Sequence, residues 1–217
     1  MTGGILSPKP QRMRVGVSAV LALGSNLGDR AATLAGAVDD LDATAGIRVD
    51  ARSALVETDA IKLSGVDSSA PRYLNAVVLV NTTLEPHALL AVVNAIEAAH
   101  GRVREERWGD RTLDIDIVDY DGRMLSDDRL TLPHPRAAER AFVLAPWLDV
   151  DADAQVPGIG RVADLLAQST DAVRPYSAAP DESPAGESQP DESRAEASRA
   201  GASQAEDSGE QGRGGIR

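Results

Sequence analysis

Residues 111–117 read RTLDIDI, and no other short stretch constrains the chain as tightly. Successive side chains of a strand point to opposite faces, so Leu113, Ile115 and Ile117 share one face and Asp114 and Asp116 the other. The apolar face demands a core to pack against. The acidic face sets two like charges on Cα atoms only ~7 Å apart, which water or a cation has to compensate. A sheet with one wet face meets that demand, and so does a metal site.

The neighbouring patterns supply the order of elements. VSAVLALGSN (17–26) is an apolar run ended by turn residues, which predicts a buried strand. Leu27, Leu34, Val38 and Leu41 then recur at helical spacing as far as Gly46. Residues 47–58 read as extended, 59–71 as a loop, and RYLNAVVLVNTT (72–83) as a strong strand. EPHALLAVVNAIEAAHG predicts a second helix, with Pro86 in its first turn and Gly101 past its end. A charged loop, RVREERWGD, leads into the opening strand, and Asp121–Gly122 predicts a hairpin turn into a short return strand around Met124. The chain from Pro133 begins irregular and becomes helical, and VADLLAQ reads as a last helix. This order predicts an α+β fold: a ferredoxin-like, mainly antiparallel sheet with helices packed on it.

Composition sets the boundaries. Residues 177–217 contain, apart from alanine, a single hydrophobic residue, Ile216, and repeat PDES twice. Such a segment cannot bury enough apolar surface to offset its ordering entropy and reads as a disordered acidic tail. Residues 1–16 read as a flexible segment, which leaves 17–172 as the folded domain. The tail holds nine acids and four arginines; set against −12 overall, this leaves −7 for residues 1–176. An acidic body argues against sequence-independent nucleic-acid binding. No apolar h-region and no run of ~18 apolar residues is visible, so neither a secretory signal nor a membrane helix is expected. The absence of cysteine excludes disulfide and thiolate chemistry. A cytoplasmic protein is expected, and a monomer, because no additional apolar stripe is present.

Several residues carry candidate chemistry. Arg102, Arg104, Arg107 and Arg111 precede the acidic pair, and cations beside carboxylates suit a polyphosphate bridged by Mg²⁺. Internal salt bridges with Glu105, Glu106 and Asp110 account for the same charges. The chain has only six aromatic residues. Tyr73 shares a strand face with Asn75, and a ring beside an amide can stack a flat heterocycle and bond its edge; core packing is the plainer role. Phe142 reads by default as core, whereas Trp108 sits in a charged loop with little core to join. His134 lies between two prolines with Arg129 and Arg140 near it in sequence. GSNLGDR (24–30) has the look of a glycine turn that cradles phosphate, but it lacks the lysine and the glycine spacing of the known motifs.

Taken together, LALGSNLGDR, YLNAVV, GRVREERWGDRTLDIDI and RLTLPHPRAAERAFVL stand in the order and at about the spacing of one family. Over roughly Ser18 to Thr170 the chain resembles the 6-hydroxymethyl-7,8-dihydropterin pyrophosphokinases of folate biosynthesis. The resemblance implies transfer of pyrophosphate from ATP to the pterin's hydroxymethyl group, with release of AMP. It also implies that Asp114 and Asp116 hold two Mg²⁺ ions, with Arg102 and Arg111 as further catalytic residues. Tyr73 and Phe142 would sandwich the pterin, Asn75 would bond its edge, and Thr58 and Asp59 would assist. Glu97, Arg102, Arg104, Trp108, Arg111, Arg129, Thr131, His134 and Arg140 would line the ATP side. The stretch after Thr58 lacks the proline common there. Two other classes fit the isolated residues, a nucleotidyltransferase releasing pyrophosphate and a binding module without chemistry.

Overall fold

The apolar run at 17–26 is hydrophobic on both faces, which suits only an interior strand. In the computed structural model, which describes residues 15–62, 65–67, 71–101 and 112–177, this run forms β1 (Val17–Ser25). There follow α1 (Arg30–Ala43), β2 (Ile47–Arg52), β3 (Val56–Thr58), and a small hairpin of β4 (Ala60–Lys62) and β5 (Gly65–Asp67). Next come β6 (Tyr73–Thr82), α2 (Pro86–Ala99), β7 (Asp114–Tyr120), β8 (Leu125–Ser126) and β9 (Thr131–Leu132). A single 3-10 turn, Ala137–Glu139, leads to α3 (Ala141–Val150), β10 (Gln155–Val156), β11 (Gly160–Arg161), α4 (Val162–Gln168) and β12 (Arg174–Pro175).

The main sheet runs β12–β3–β6–β1–β7, with β2 also paired to β6 and every pairing antiparallel. β2 and β3 together form one interrupted strand beside β6, so the four principal positions follow the ferredoxin-like order, as the sequence predicts. Both faces are covered. Ala19, Leu21 and Leu23 of β1 meet Leu34 and Leu41 of α1 and Leu89 and Val93 of α2 in the larger core. Val20 of β1, Val77 of β6 and Val118 of β7 meet Val143, Leu144 and Trp147 of α3 on the other side.

A β-bulge decides what β7 presents to each layer. Ile117 pairs with Leu21 and Asp119 with Val20, so Val118 is the extra residue. Before the bulge Leu113, Ile115 and Ile117 enter the larger core, as their alternation predicts; after it Tyr120 does so. Asp114, Asp116 and Val118 face the α3 layer.

Two expectations are corrected. The loop expected at 59–71 contains the β4–β5 hairpin, in which the β-branched Ile61 and Val66 stand opposite each other; six paired residues are too few to set a period. The Asp121–Gly122 turn forms, with both residues at positive φ and Arg123 N–H bonded to the Tyr120 carbonyl. It does not return the chain onto β7, however. Asp127 accepts the N–H groups of Arg129 and Leu130 and closes a second turn, which pairs β8 with β9 instead. β12 was not expected at all. Among the described residues no helix is long and apolar enough to cross a membrane.

Candidate active site

Three neighbouring strands bring small, neutral and acidic side chains into two rows on the α3 face. In one row Asn75 of β6 pairs with Gly24 of β1, which pairs with Asp114 of β7; in the next stand Val77, Ala22 and Asp116. The middle strand thus offers a floor almost without side chains. At Gly24 a Cβ would stand 3.1 Å from Asn75 Oδ1, so glycine here keeps the amide in place. Above the floor lies a cavity of about 470 Å³, bounded also by Thr58, Asp59, Tyr73, His134, Arg140 and Phe142.

The neutral wall is already organised. Asn75 is 5% exposed, and its Nδ2 donates to Thr58 Oγ1 at 3.1 Å. Both side chains are therefore held in one geometry before any ligand arrives. Tyr73, two residues earlier on the same strand face, also lines the cavity. Opposite, Phe142 at the start of α3 is only half buried, unlike its neighbours Ala141 and Val143, and is turned toward the cavity.

The acidic wall is charged and partly paired. Arg140 Nη1 lies 3.4 Å from Asp116 Oδ2, and its guanidinium lies 5.5 Å from the centre of the Phe142 ring. His134 Nε2 is 3.7 Å from the same Asp116 oxygen. Burial holds the His134 imidazole below its usual range, Arg140 and Arg136 push the same way, and Asp116 and Asp114 oppose them. His134 Nδ1 accepts the Arg136 N–H, so a neutral ring carries its proton on Nε2, facing the carboxylate.

Of the other expected residues, Glu97 lies beneath the cleft and not in its lining. It is 2% exposed, and its Oε1 accepts the Ile115 N–H at 2.7 Å. That bond ties the edge strand to α2 midway between Asp114 and Asp116. Arg129 lies in the turn between β8 and β9 and Thr131 on β9; neither borders the cavity. Arg102, Arg104, Trp108 and Arg111 lie outside the described residues. The GSNLGDR turn works as a strand end and a helix cap, because Asp29 accepts the Ala32 N–H at the start of α1. His100 pairs with Asp40 across α2 and α1, and His87 with Asp127, away from the cavity.

A model of the 7,8-dihydro-6-hydroxymethylpterin-pyrophosphokinase family matches residues 20–152, well over half of the chain. The chain belongs to that family. Among relatives named 2-amino-4-hydroxy-6-hydroxymethyldihydropteridine pyrophosphokinase, the Methylorubrum extorquens protein is 52% identical over 140 residues, 64% of this chain and 86% of its own. The Synechocystis protein is 36% identical over 162 residues, 75% of this chain and 80% of its own. The Plasmodium falciparum HPPK-DHPS crystal structure aligns with a TM-score of 0.56 at 15% identity, over 72% of this chain. This chain spans 46% of that longer one, and the likeness there concerns the fold.

Within this pyrophosphokinase fold, sequence reasoning missed Arg136, Glu139 and Asp171, which border the cavity, and took Gly24, which also borders it, only as the start of a phosphate-cradling turn. Gly24 carries a usable signal, a glycine one residue before the end of an interior strand. The other three are ordinary surface residues in sequence, and only the path of the chain brings them to the cleft.

Proposed function

We propose that this cleft transfers pyrophosphate from ATP to the hydroxymethyl group of 6-hydroxymethyl-7,8-dihydropterin, releasing AMP in a step of folate synthesis. Family membership supports the reaction. The observation that carries it in this chain is the strand register, which sets Asn75 and Asp114 on either side of Gly24, and Ala22 beside Asp116. A flat acceptor held at the neutral end brings its alcohol toward a phosphate chain held at the acidic end, which is catalysis by positioning.

Tyr73 and Phe142 stack the pterin, while Asn75, Thr58 and the chain at Asp59 bond its edge. Asp114 and Asp116 hold Mg²⁺, two ions in this reading. Their hard oxygens on one face suit that metal. Among the described residues no group of three or more acidic, histidine or cysteine side chains could hold a metal. Mg²⁺ commonly takes one or two carboxylates and completes its shell with phosphates and water. When bound, the ions neutralise the triphosphate and polarise its β-phosphorus.

Arg140 and His134 face the phosphates beside Asp116, His134 as a neutral Nε2–H donor. Arg102, Arg104, Trp108 and Arg111 of the charged stretch before the acidic pair, with Arg129 and Thr131, engage the nucleotide and stabilise the departing AMP. The alcohol loses its proton to solvent water as its oxygen bonds to the β-phosphorus, the bridge to the α-phosphorus breaks, and its electron pair leaves with AMP. ³¹P NMR of a mixture of enzyme, Mg²⁺, ATP and the dihydropterin tests this. AMP and the pterin diphosphate are expected. Formation of ADP or free pyrophosphate in their place overturns the reading.

A further inference from the structure

Past the residues matched by the family model, the chain returns to the cleft. Asp171 borders the cavity. β12 then pairs with the outer edge of β3, Arg174 opposite Glu57 and Pro175 opposite Val56. The Tyr176 N–H donates to the Leu55 carbonyl at 3.0 Å, and Tyr176 packs on the larger core. This covers the edge of β3, a strand of three residues that would otherwise be held from one side only.

The side chains make a second connection. Arg174 grips Asp59 as a fork, Nη1 to Oδ1 at 3.3 Å and Nη2 to Oδ2 at 3.4 Å. Arg72, at the start of β6, donates from Nε to the same Asp59 Oδ1 at 3.0 Å and from Nη1 to Glu57 Oε2 at 3.2 Å. Arg30 closes the set from α1, reaching Glu57 Oε1 at 3.0 Å and the Arg72 carbonyl at 2.7 Å. Asp59 is 23% exposed at its side chain, and its carboxyl is held below the usual range, first by the Arg174 hydrogen bond. Thr58 and Asp59 form the cavity wall at this point, and Thr58 orients Asn75.

We propose that Arg174 is a positioning residue for the acceptor side of the cleft. By fixing Asp59 it holds the Thr58–Asp59 wall and the Asn75 amide at the spacing a flat heterocycle needs. Residues 171–176 are therefore part of the substrate site. This rests on the assignment of the neutral wall to the pterin. Purely structural bracing would make the enzyme less stable without distinguishing one substrate from the other.

The test uses the full-length enzyme with Arg174→Ala and, as the milder change, Arg174→Lys, with melting temperature recorded for each. A partly exposed charged pair moves an equilibrium by roughly threefold to fivefold. Arg174→Ala should raise the KM for the dihydropterin by about that factor, leave the KM for ATP within about twofold, and change kcat little. Arg174→Lys should fall between it and the wild type, and should carry the test if the alanine variant does not fold. Adding Asp59→Asn to Arg174→Ala should cost little more than either change alone. An unchanged pterin KM, or equal rises for both substrates, overturns the proposal. Failure of the wild-type enzyme to bind the dihydropterin at all, measured by fluorescence titration, would instead overturn the assignment of the cleft.

Discussion

The two walls of the cleft solve opposite problems. On the β3–β6 side, Thr58 and Asn75 bond each other, and Glu57 and Asp59 are bonded by Arg30, Arg72 and Arg174. That wall is finished before a ligand arrives. On the β7 side, two carboxylates share one face, and Asp116 lies 3.4 Å from Arg140 and 3.7 Å from His134. Contacts of that length leave a carboxylate geometry that a bound cation can improve. In the proposed reaction, recognition falls to the β3–β6 wall and chemistry to the wall that carries the two carboxylates.

The contrast breaks most visibly at the acidic side. Asp114→Ala or Asp116→Ala should lower kcat by about 10²–10³-fold or more, while the melting temperature does not fall. Steady-state kinetics at saturating Mg²⁺ together with thermal melts check both parts, and near-normal turnover would refute the metal role. Beneath that wall, Glu97→Leu should strand the Ile115 N–H at a cost of about 1–3 kcal/mol, a loss of roughly 3–10 °C in a domain of this size. Glu97→Gln retains an acceptor and should recover most of that loss, measured by calorimetry.

At the neutral wall the expected effects are smaller and fall on affinity. Asn75→Ala should weaken dihydropterin binding about tenfold and Phe142→Ala about fivefold, with kcat much less affected. Titration calorimetry separates these from the Asp variants; an unchanged affinity would remove that side chain from the acceptor site.

The smallest effect lies at the bulge. Burial pushes the Asp119 carboxyl up, and its Oδ1 has no hydrogen-bond partner among the described residues. A raised folded-state value means that the native protein binds the proton more tightly than the unfolded chain. Stability from this group is therefore present at acid pH and is lost as pH rises through the folded value. Asp119→Asn should remove that loss and raise the melting temperature by about 1–2 °C at pH 7 and not at pH 3. The Gly122 N–H, now bonded to Asp119 Oδ2, keeps an acceptor in the variant.

Much of the fold was legible in the chain. The run at 17–26 had to be an interior strand because it is apolar on both faces, and RTLDIDI had to divide its residues between a core and a wet side. Short elements were less legible. The β4–β5 hairpin, the β8–β9 pair and β12 have two or three residues per strand, too few for a period to be read. At the site, Tyr73, Asn75, Asp114, Asp116, Phe142, His134 and Arg140 all meet one cavity, whereas Glu97 serves beneath it. A buried acid on a helix looks the same in sequence whether it faces a ligand or a neighbouring backbone N–H.

What the sequence by itself determined is which side chains share a face, because strand and helix periods are local properties of the backbone. It also determined the family, because motifs in fixed order survive in the chain itself. Only the tertiary structure decided which faces meet. The register that aligns Asn75, Gly24 and Asp114, the bulge at Val118 and the return of Arg174 to Asp59 all join residues far apart in the chain. Such pairings are set by long-range packing and hydrogen bonding, for which no local pattern is a record.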